Sequence, residues 1–426
     1  MATVRPFKGL VYNAEAVRLS EVVAPPYDVI SPELQHRLYE KDPRNVVRLI
    51  LNRDPDPYAS AAEAFRTWQS DGTLLRDTEP AFYLLSQSFA GAGGSDITRS
   101  GCIGLCRLEE FEKKVILPHE KTLAKPKEDR LKLFQATESN FSQVFGVYAD
   151  PEKSLSSLFA EATSAPPDLD VTFEGVRNRL WRIQGGRRTR AISDFFENRN
   201  ILIADGHHRY ETALAYRAAR RSADPHGSPD APYNYVMMFL TNMSDEGLVV
   251  LPTHRVVHSV QNFDSSALLK MLSASFVLQS FNSPERMMHA LQEGGSGTLA
   301  MVLREHQAYH VLSLKPGLSA SEVVEGPEPD VVKQLDVAVL HFHILRSLLG
   351  ISAHAQEQKS NLDYVVDPVE AVETVRKGYA QAAFLLNPTP VDQVYAVASA
   401  GYTMPQKSTF FFPKLLSGLV FHSHRD

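Results

Sequence analysis

The sequence has very little cysteine: Cys102 and Cys106 are the two cysteines among 426 residues, and they lie four positions apart in an apolar stretch. Two cysteines are too few for a disulfide framework, and a zinc site would need further ligands nearby in the sequence. We therefore interpret both as small core residues rather than as a redox pair.

Long apolar runs are also lacking, because none approaches the roughly 20 residues that a membrane-spanning helix needs. The first residues, Met1 to Lys8, carry charge without an apolar segment behind them, which does not match a signal peptide. We expect a soluble cytoplasmic protein that makes no membrane contact. The net charge of −6 disfavours a nucleic-acid partner, which usually requires a basic face, and favours a small anionic ligand.

Several common functional motifs are absent from the sequence. It contains no Gly-x-x-x-x-Gly-Lys-Ser/Thr run, no Rossmann fingerprint and no Gly-x-Ser-x-Gly elbow. The adjacent His207 and His208 cannot both face one metal from a regular helix, because neighbouring side chains point about 100° apart. We predict no protein metal site.

The pattern of helices and strands predicts an α/β protein with more than one domain, since single cores rarely exceed roughly 250–300 residues. Ser31 followed by Pro32 predicts a helix start, and Val46 to Leu51 reads as a buried strand. The glycine-rich segment from Ala90 to Ser95 is typical of a hairpin connection. We expect three segments: an N-terminal α/β segment 1–100, a core 101–260 and a C-terminal α/β segment 261–426.

The most informative segment runs from Asn200 to Tyr210. An apolar strand from Asn200 to Ala204 leads into a turn and then into an amphipathic helix, and this order of elements is a ready anion site. The turn consists of Asp205, Gly206, His207, His208 and Arg209. The glycine permits close backbone approach to a ligand, and the arginine can hold phosphate oxygens bidentately. The competing interpretation is an N-capping aspartate followed by exposed histidines.

Three further clusters contain chemically useful side chains. His119 and Glu120, followed by Lys121 and Thr122, place a carboxylate that could act as a general base beside groups that could bind phosphate. A solvated charged loop explains them equally well. His254 and Arg255 could reach the same cleft, although His254 is as readily a structural histidine. Lys407 to Thr409 with Lys414 have phosphate-binding groups but no glycine loop, which makes them a weak candidate.

At these residues the sequence resembles the ParB/sulfiredoxin superfamily, and within it the free serine kinases. The resemblance to those kinases rests on the Pro-His-Glu segment ending at Glu120 and on the Asp-Gly-His-His-Arg run, and it covers the middle third of the chain. The whole chain is also similar to the DUF1015 family of uncharacterised bacterial and archaeal proteins. That similarity extends over Pro25 to Ile30, His119 to Thr122, Asp205 to Tyr210, Pro252 to Arg255 and Met404 to Lys414.

The resemblance implies a ParB/sulfiredoxin-like core with N- and C-terminal α/β extensions. It implies Glu120 as the catalytic base, and Asp205, His207 and Arg209, with the Gly206–His208 backbone, as phosphate holders. We take His119, next to Glu120, as a second catalytic candidate. Mg²⁺ bound with ATP or ADP is the implied cofactor. The interval from Glu120 to Asp205 is longer than in the compact kinases, which indicates an insertion between the two motifs. A sulfiredoxin activity does not fit, because that chemistry needs a cysteine at the position of His207. A DNA-partitioning role does not fit an acidic chain either.

We therefore expect a phosphotransferase that moves a phosphoryl group between a nucleotide and serine or phosphoserine, with a nucleotide and an amino acid as ligands. Two alternatives stay open at this point. One is a nucleotide-binding switch or scaffold without catalysis, and the other is a phosphatase or nucleotide hydrolase. The sequence does not fix the nucleotide, the direction of transfer or the oligomeric state.

Overall fold

The computed structural model describes residues 1–91, 94–120 and 124–425, with the backbone only for 124–126. The chain divides into two compact units. The first comprises Met1–Pro118, Thr122–Val249 and Pro413–Asp426, and the second comprises His119–Lys121 and Val250–Phe412. The predicted division into three segments stays a prediction about domain boundaries.

The strands, in chain order, are β1 Val4–Arg5, β2 Leu10–Tyr12, β3 Leu74–Arg76, β4 Phe82–Ala90, β5 Asp96–Arg107, β6 Ile116–Leu117, β7 Ser139–Asn140, β8 Val144–Tyr148, β9 Leu169–Phe173, β10 Val176–Ile183, β11 Ile201–Asp205, β12 Tyr235–Asn242, β13 Val249–Leu251, β14 His254–Val257, β15 Phe276–Phe281, β16 Thr298–Leu303, β17 Tyr309–Leu314, β18 Leu362–Val365, β19 Ala382–Leu386, β20 Phe410–Phe412 and β21 His422–Ser423.

The α-helices are α1 Leu19–Val22, α2 Pro32–Lys41, α3 Val47–Ile50, α4 Pro57–Ser70, α5 Ala124–Thr137, α6 Ser156–Thr163, α7 Gly186–Phe196, α8 His207–Ala223, α9 Ser265–Ser275, α10 Pro284–Gly294, α11 Ala320–Val323, α12 Asp330–Lys333, α13 Asp336–Ala338, α14 Ala353–Glu357, α15 Pro368–Arg376 and α16 Val391–Ser399. A π-helix, Val339–Leu348, continues α13.

The first unit is built on a mixed sheet with the strand order β6–β11–β8–β12–β5–β4–β10–β9, and β1 pairs with β5. β11 runs parallel to β6 and antiparallel to β8, and β12 runs parallel to β8. The central strands are buried along almost their whole length, which explains their continuous apolar runs. The predicted α/β class with a mixed sheet is confirmed.

Local sequence signals explain the start of α2 and the connection between β4 and β5. The Ser31 side chain accepts a hydrogen bond from Leu34 N at 3.1 Å, and Pro32 occupies the first helical position. The glycine-rich connection also falls as predicted, because β4 and β5 on either side of it pair antiparallel. Two residues of that connection, 92 and 93, lie outside the described residues.

The strand prediction for Val46 to Leu51 is wrong, because the structure has helix α3 there. The segment is buried as expected, but the side chain of Asn45, one position before the N-cap residue Val46, accepts a hydrogen bond from Val47 N at 2.9 Å and forms a turn that leads into α3. Short apolar runs do not distinguish a buried strand from a buried helix by periodicity. Asn45 was the local signal for a helix.

The second unit has its own sheet, in which all neighbouring strands are antiparallel. The strand order is β15–β17–β16–β19–β14–β18. One face of this sheet packs on a core with the π-helix, including Leu340 and Ile344. The other face packs on α10 and α15 through Met287, Leu291 and Val375. Each unit therefore buries its own apolar core.

Both cysteines are core residues, as predicted. Cys102 and Cys106 are free and buried on β5, and burial raises the pKa of each thiol to about 12. A thiol with such a pKa is unreactive near neutral pH. Among the described residues, no helix combines the length and the apolar composition needed to cross a bilayer.

Candidate functional site

The Asp205–Arg209 turn joins a strand to a helix in the first unit. β11 ends at Asp205, Gly206 adopts a left-handed conformation with φ 87°, and α8 begins at His207. Glycine adopts this conformation without strain and has no side chain that could cap the helix. The segment therefore has the strand–glycine–helix geometry that the sequence predicts for an anion site.

Helix α8 is anchored firmly behind the turn. Tyr210, Ala213 and Tyr216 form its buried face. The Tyr210 hydroxyl donates to Glu109 O at 2.8 Å and accepts from Glu109 N at 2.9 Å. A helix held in this way presents its first turn from a fixed position, as a preorganised binding site requires.

The missing side chain of Gly206 makes room for Arg209. A Cβ at position 206 would lie 2.9 Å from the Cζ atom of Arg209, closer than real Cβ contacts. The guanidinium lies back over the turn and donates through Nη1 to the backbone oxygen of Gln143. Glycine is therefore favoured at position 206 by its backbone conformation, and a side chain there would displace the Arg209 guanidinium from the turn.

Asp205 is the one carboxylate of the turn, and its contacts combine backbone and cationic groups. Oδ1 accepts from Gly206 N at 2.8 Å, and Oδ2 accepts from Lys414 Nζ at 3.1 Å. Arg209 Nη2 lies 3.9 Å from Oδ2. Burial would raise the pKa of Asp205, but Lys414 and then Arg209 outweigh burial and hold this pKa well below its ordinary value.

Lys414 is the residue whose importance sequence reasoning underestimated. Its backbone oxygen accepts from Gln87 Nε2 at 3.3 Å, and the oxygen of the preceding Pro413 accepts from Arg99 Nη2 at 2.6 Å. Gln87 lies on β4 and Arg99 on β5, so the sheet itself positions the lysine beside Asp205. The only local signal was a basic residue after Phe412 and Pro413, 209 positions beyond its partner.

Arg99 adds a third cation to this region. It is fully buried, with its Cζ atom 4.6 Å from the ring centroid of Phe145, and burial lowers its pKa to about 9. A guanidinium with that pKa is still charged at pH 7. Arg99 interacts with the carboxylates of both Asp245 and Asp205. The surplus of positive charge at the turn therefore comes from Arg209 and Lys414, two cations beside the one carboxylate of Asp205, and it suits an anionic ligand.

The two histidines of the turn differ in exposure. His207 is buried, and its ring contributes to the low pKa of Asp205. His208 is only half-buried. Consecutive helical positions explain the difference, because their side chains point about 100° apart.

His119 and Glu120 belong to the second unit, where they contact the segment Met404–Thr409. His119 Nε2 lies 2.9 Å from Thr409 Oγ1, and the backbone oxygen of His119 accepts from Met404 N at 2.8 Å. Glu120 pairs with Met404 in a parallel bridge, and its Oε1 accepts from Lys407 N at 2.9 Å. Lys121 and Thr122, the other members of this predicted cluster, lie outside the described residues.

Arg255 is enclosed by backbone and imidazole acceptors of the second unit. Its Nε donates to His341 Nε2 at 3.0 Å, and its Nη2 donates to the backbone oxygens of Gln406 at 3.2 Å and Lys407 at 3.0 Å. Nη1 donates to Thr253 O. The side chain is fully buried, and burial lowers its pKa to about 10. These contacts indicate that Arg255 holds the backbone of residues 406–407 in place.

His254 also makes an internal contact. Its Nδ1 accepts from Leu386 N at 3.2 Å within the sheet of the second unit. Burial, followed by the charge of Arg255, lowers its pKa to about 4, so the imidazole is neutral at pH 7. The structure thus groups Asp205 to Arg209 with Lys414 in one unit, and His119, Glu120, His254 and Arg255 in the other.

The described residues do not provide a metal site of their own. No group of three or more His, Cys, Asp or Glu side chains in this part of the chain is placed to hold a metal ion. Asp205, the carboxylate nearest the turn, is already paired with a lysine. The residues therefore do not fit a protein-held Mg²⁺, and the ion enters below only as the companion of a nucleotide.

Comparisons with known proteins agree with the resemblance seen in the sequence. The model of the family described as protein of unknown function (DUF1015) matches residues 4–338. No curated protein matches. A conserved hypothetical protein from Pyrococcus furiosus shares 14% sequence identity with this chain, with a TM-score of 0.35. The matched region covers 72% of this chain and 90% of that protein.

Two other solved structures are similar to a comparable extent. A free serine kinase mutant in complex with ADP is 12% identical with a TM-score of 0.37, covering 71% of this chain and 85% of its own. SbnI from Staphylococcus aureus, truncated at its C-terminus, is 10% identical with a TM-score of 0.34, covering 74% and 85%. TM-scores below 0.5 are too low to support an argument about this chain.

Proposed function

The chain belongs to the DUF1015 family, and we propose that it binds nucleotide phosphate at the Asp205–Arg209 turn and moves a phosphoryl group between that nucleotide and serine or phosphoserine. The observation that carries the proposal is the charge at the turn. Arg209 and Lys414 lie beside the single carboxylate of Asp205 where a long helix begins.

Physical chemistry supports phosphate as the ligand. The start of a helix carries a partial positive charge and directs N–H groups outward, and cationic side chains reinforce this field. Arginine binds phosphate oxygens through parallel hydrogen bonds, whereas lysine acts as a compact point charge. Phosphoryl transfer depends mainly on positioning and on neutralising charge on the phosphoryl oxygens, and these groups can supply both.

We assign the role of base to Glu120 on the strength of its Pro-His-Glu segment. In the forward direction the serine hydroxyl oxygen attacks the terminal phosphorus and its proton passes to Glu120. The bond to the bridging oxygen breaks, and the electron pair leaves on the shortened nucleotide, which is ADP from ATP or AMP from ADP. The hydrogen bond from Lys407 N to Glu120 Oε1 holds the carboxylate in one orientation. Mg²⁺ accompanying the nucleotide would offset the charge of its phosphates.

The first test is phosphorus NMR of the protein with Mg²⁺, either ATP or ADP, and either L-serine or O-phosphoserine. We expect a phosphoserine signal to appear or vanish in step with nucleotide conversion. Glu120→Gln should lower the rate at least about a hundredfold while leaving nucleotide affinity within about twofold, because it removes only the proton acceptor. A near-normal rate in Glu120→Gln would remove Glu120 from the mechanism.

A nucleotide-binding switch without catalysis is the second candidate. It is favoured by one observation: the described contacts of Asp205, Arg209 and Lys414 all come from the first unit, so nucleotide binding does not require Glu120. Binding of ADP with no change in the phosphorus spectrum for either acceptor would favour this function over transfer.

A further inference from the structure

A cavity of about 430 Å³ lies within the first unit, at an edge of its sheet away from the turn. Asp205 is paired with Phe145 near the start of β8, whereas Tyr148, the last residue of that strand, lines the cavity. Asn242 at the end of β12 pairs with Tyr148 and lines the cavity as well. Small-molecule sites typically have volumes of roughly 300–1,000 Å³. The cavity is therefore large enough for a small ligand, and the proposed function uses none of its lining residues.

The hydroxyl of Tyr148 makes no hydrogen bond within the described part of the chain. The residue is 2% exposed, and Phe195 and Phe196 contact its ring edge-on at centroid distances of 5.3 and 5.1 Å. Its oxygen is nevertheless not one of the unpaired buried atoms that are closed to solvent. A polar group of a buried residue without a partner calls for an explanation. Because Tyr148 lines the cavity, a ligand atom there would supply the missing partner.

Asp245 contributes a carboxylate that backbone donors alone hold. Its Oδ1 accepts from Gly247 N at 2.8 Å and its Oδ2 from Ser100 N at 3.3 Å. Burial raises the pKa of Asp245, and the two backbone donors, followed by the more distant charges of Arg99 and Lys153, offset only part of this effect. The cavity therefore contains a partly desolvated negative charge that a ligand cation would stabilise.

The other charged side chains of the cavity already have partners. The Asp150 carboxylate accepts from Ser154 N at 2.7 Å and lies 3.5 Å from Arg199 Nη2. Lys153 lies 4.0 Å from Glu246, and these two side chains are 53% and 96% exposed. The charge that remains is the negative charge of the half-buried aspartate, so the lining favours a cationic ligand over an anionic one.

Tyr148 and Asp245 lie near each other at this edge of the sheet. Met243 N donates to Tyr148 O at 2.8 Å, which holds the end of β8 against the segment that carries Asp245. Burial raises the pKa of Tyr148, and the charges of Asp150 and Asp245 raise it further, so the hydroxyl keeps its proton at pH 7. The cavity thus offers a neutral oxygen and a carboxylate, and a protonated amine can donate to both.

We propose that this cavity binds a small molecule with one ammonium group and an apolar part. The ammonium donates to the Asp245 carboxylate and to the Tyr148 hydroxyl oxygen. The apolar part packs on Leu84, Leu155 and Phe159, which form the apolar wall of the cavity. This site goes beyond the proposed function, because binding there requires neither a nucleotide nor phosphoryl transfer.

The test is ligand-observed NMR titration at pH 7 with phenethylamine, which is protonated at that pH as lysine is, and with phenethyl alcohol, which has a similar shape without the charge. We expect the wild-type protein to bind the amine at least about tenfold more tightly, because hydrogen bonds to charged groups are the stronger ones. Tyr148→Phe keeps the ring and removes the hydroxyl. It should weaken amine binding about tenfold without lowering the melting temperature, because the hydroxyl has no partner in the described structure.

Asp245→Asn removes the charge, so amine and alcohol should then bind with similar affinity. The matched control is Asp194→Asn at an exposed position of α7, which removes one negative charge from the same unit and should leave amine affinity unchanged. Equal affinity of the wild-type protein for the two compounds, unchanged amine affinity in Tyr148→Phe, or no binding of the amine overturns the site. None of these results bears on turnover, which the phosphorus NMR experiment measures separately.

Discussion

Two arginines, Arg255 in the second unit and Arg209 in the first, show how differently a cation can be used. Arg255 in the second unit directs its donors at three backbone oxygens and one imidazole. Arg209 in the first unit donates to one backbone oxygen and lies beside a carboxylate that Lys414 already contacts. The first arrangement holds a chain segment in place, whereas the second leaves a surplus of positive charge. The structural arginine is fully buried and its donors are used on internal acceptors, whereas the candidate ligand-binding arginine is partly exposed and lies beside a second cation.

The largest effect that tests this comparison is expected from Arg255→Met. The substitution leaves the oxygens of Thr253, Gln406 and Lys407 and the Nε2 of His341 without their donor. We expect the free energy of unfolding to fall by about 3–5 kcal/mol. Urea denaturation followed by circular dichroism measures this change. A loss below about 1 kcal/mol would mean that Arg255 is not a structural arginine.

Arg209→Ala should show the opposite pattern. It removes the guanidinium that we propose binds phosphate, so we expect nucleotide affinity to fall roughly 30- to 100-fold, with a smaller change in stability. Calorimetric titration with ADP measures the affinity. Arg187→Ala, at an exposed position in α7, is the matched control and should bind ADP normally. Unchanged affinity in Arg209→Ala would remove Arg209 from the site.

The pH dependence of stability sharpens the comparison further. His254 has a folded-state pKa of about 4, below the ordinary value near 6.5. Its contribution to stability is therefore present above about pH 6.5 and is lost as pH falls from there towards 4. We expect a loss of about 2 kcal/mol between pH 7 and pH 5 from this group. His254→Asn keeps an acceptor for Leu386 N and cannot titrate, so its urea midpoint should fall less over the same range; an equal fall would contradict the assignment.

The sequence predicts the turn well because its signals are local. An apolar strand, a glycine and an amphipathic helix within about twenty residues determine β11, Gly206 and α8, and the structure has all three. Ser31 and Pro32 likewise predict the start of α2 from neighbouring residues alone. Such signals act through hydrogen bonds between positions three or four apart.

Contacts between distant positions could not be predicted in this way. Lys414 reaches Asp205 only because β4 and β5 hold the Pro413–Lys414 backbone, and no local pattern encodes that pairing. The burial of Arg255 also depends on acceptors about 150 positions away. The wrong strand prediction for Val46 to Leu51 has another cause. A short apolar run is compatible with a buried strand or a buried helix, and the local signal for a helix was the preceding residue, Asn45.

The first unit consists of three separate segments of the chain, and this has a consequence for the order in which the chain folds during synthesis. Residues Pro413 to Arg425 complete that unit, with Phe421 bonded to Leu10 and His422 paired with Asn140. Ribosomes add about 5–20 residues per second, so the interval from Val250 to Phe412 takes on the order of 10–30 s to translate. During that time Asp205 has no Lys414, and the anion site that we propose is incomplete. The second unit needs no residue beyond Phe412, so it can fold before the site that precedes it in the sequence is finished.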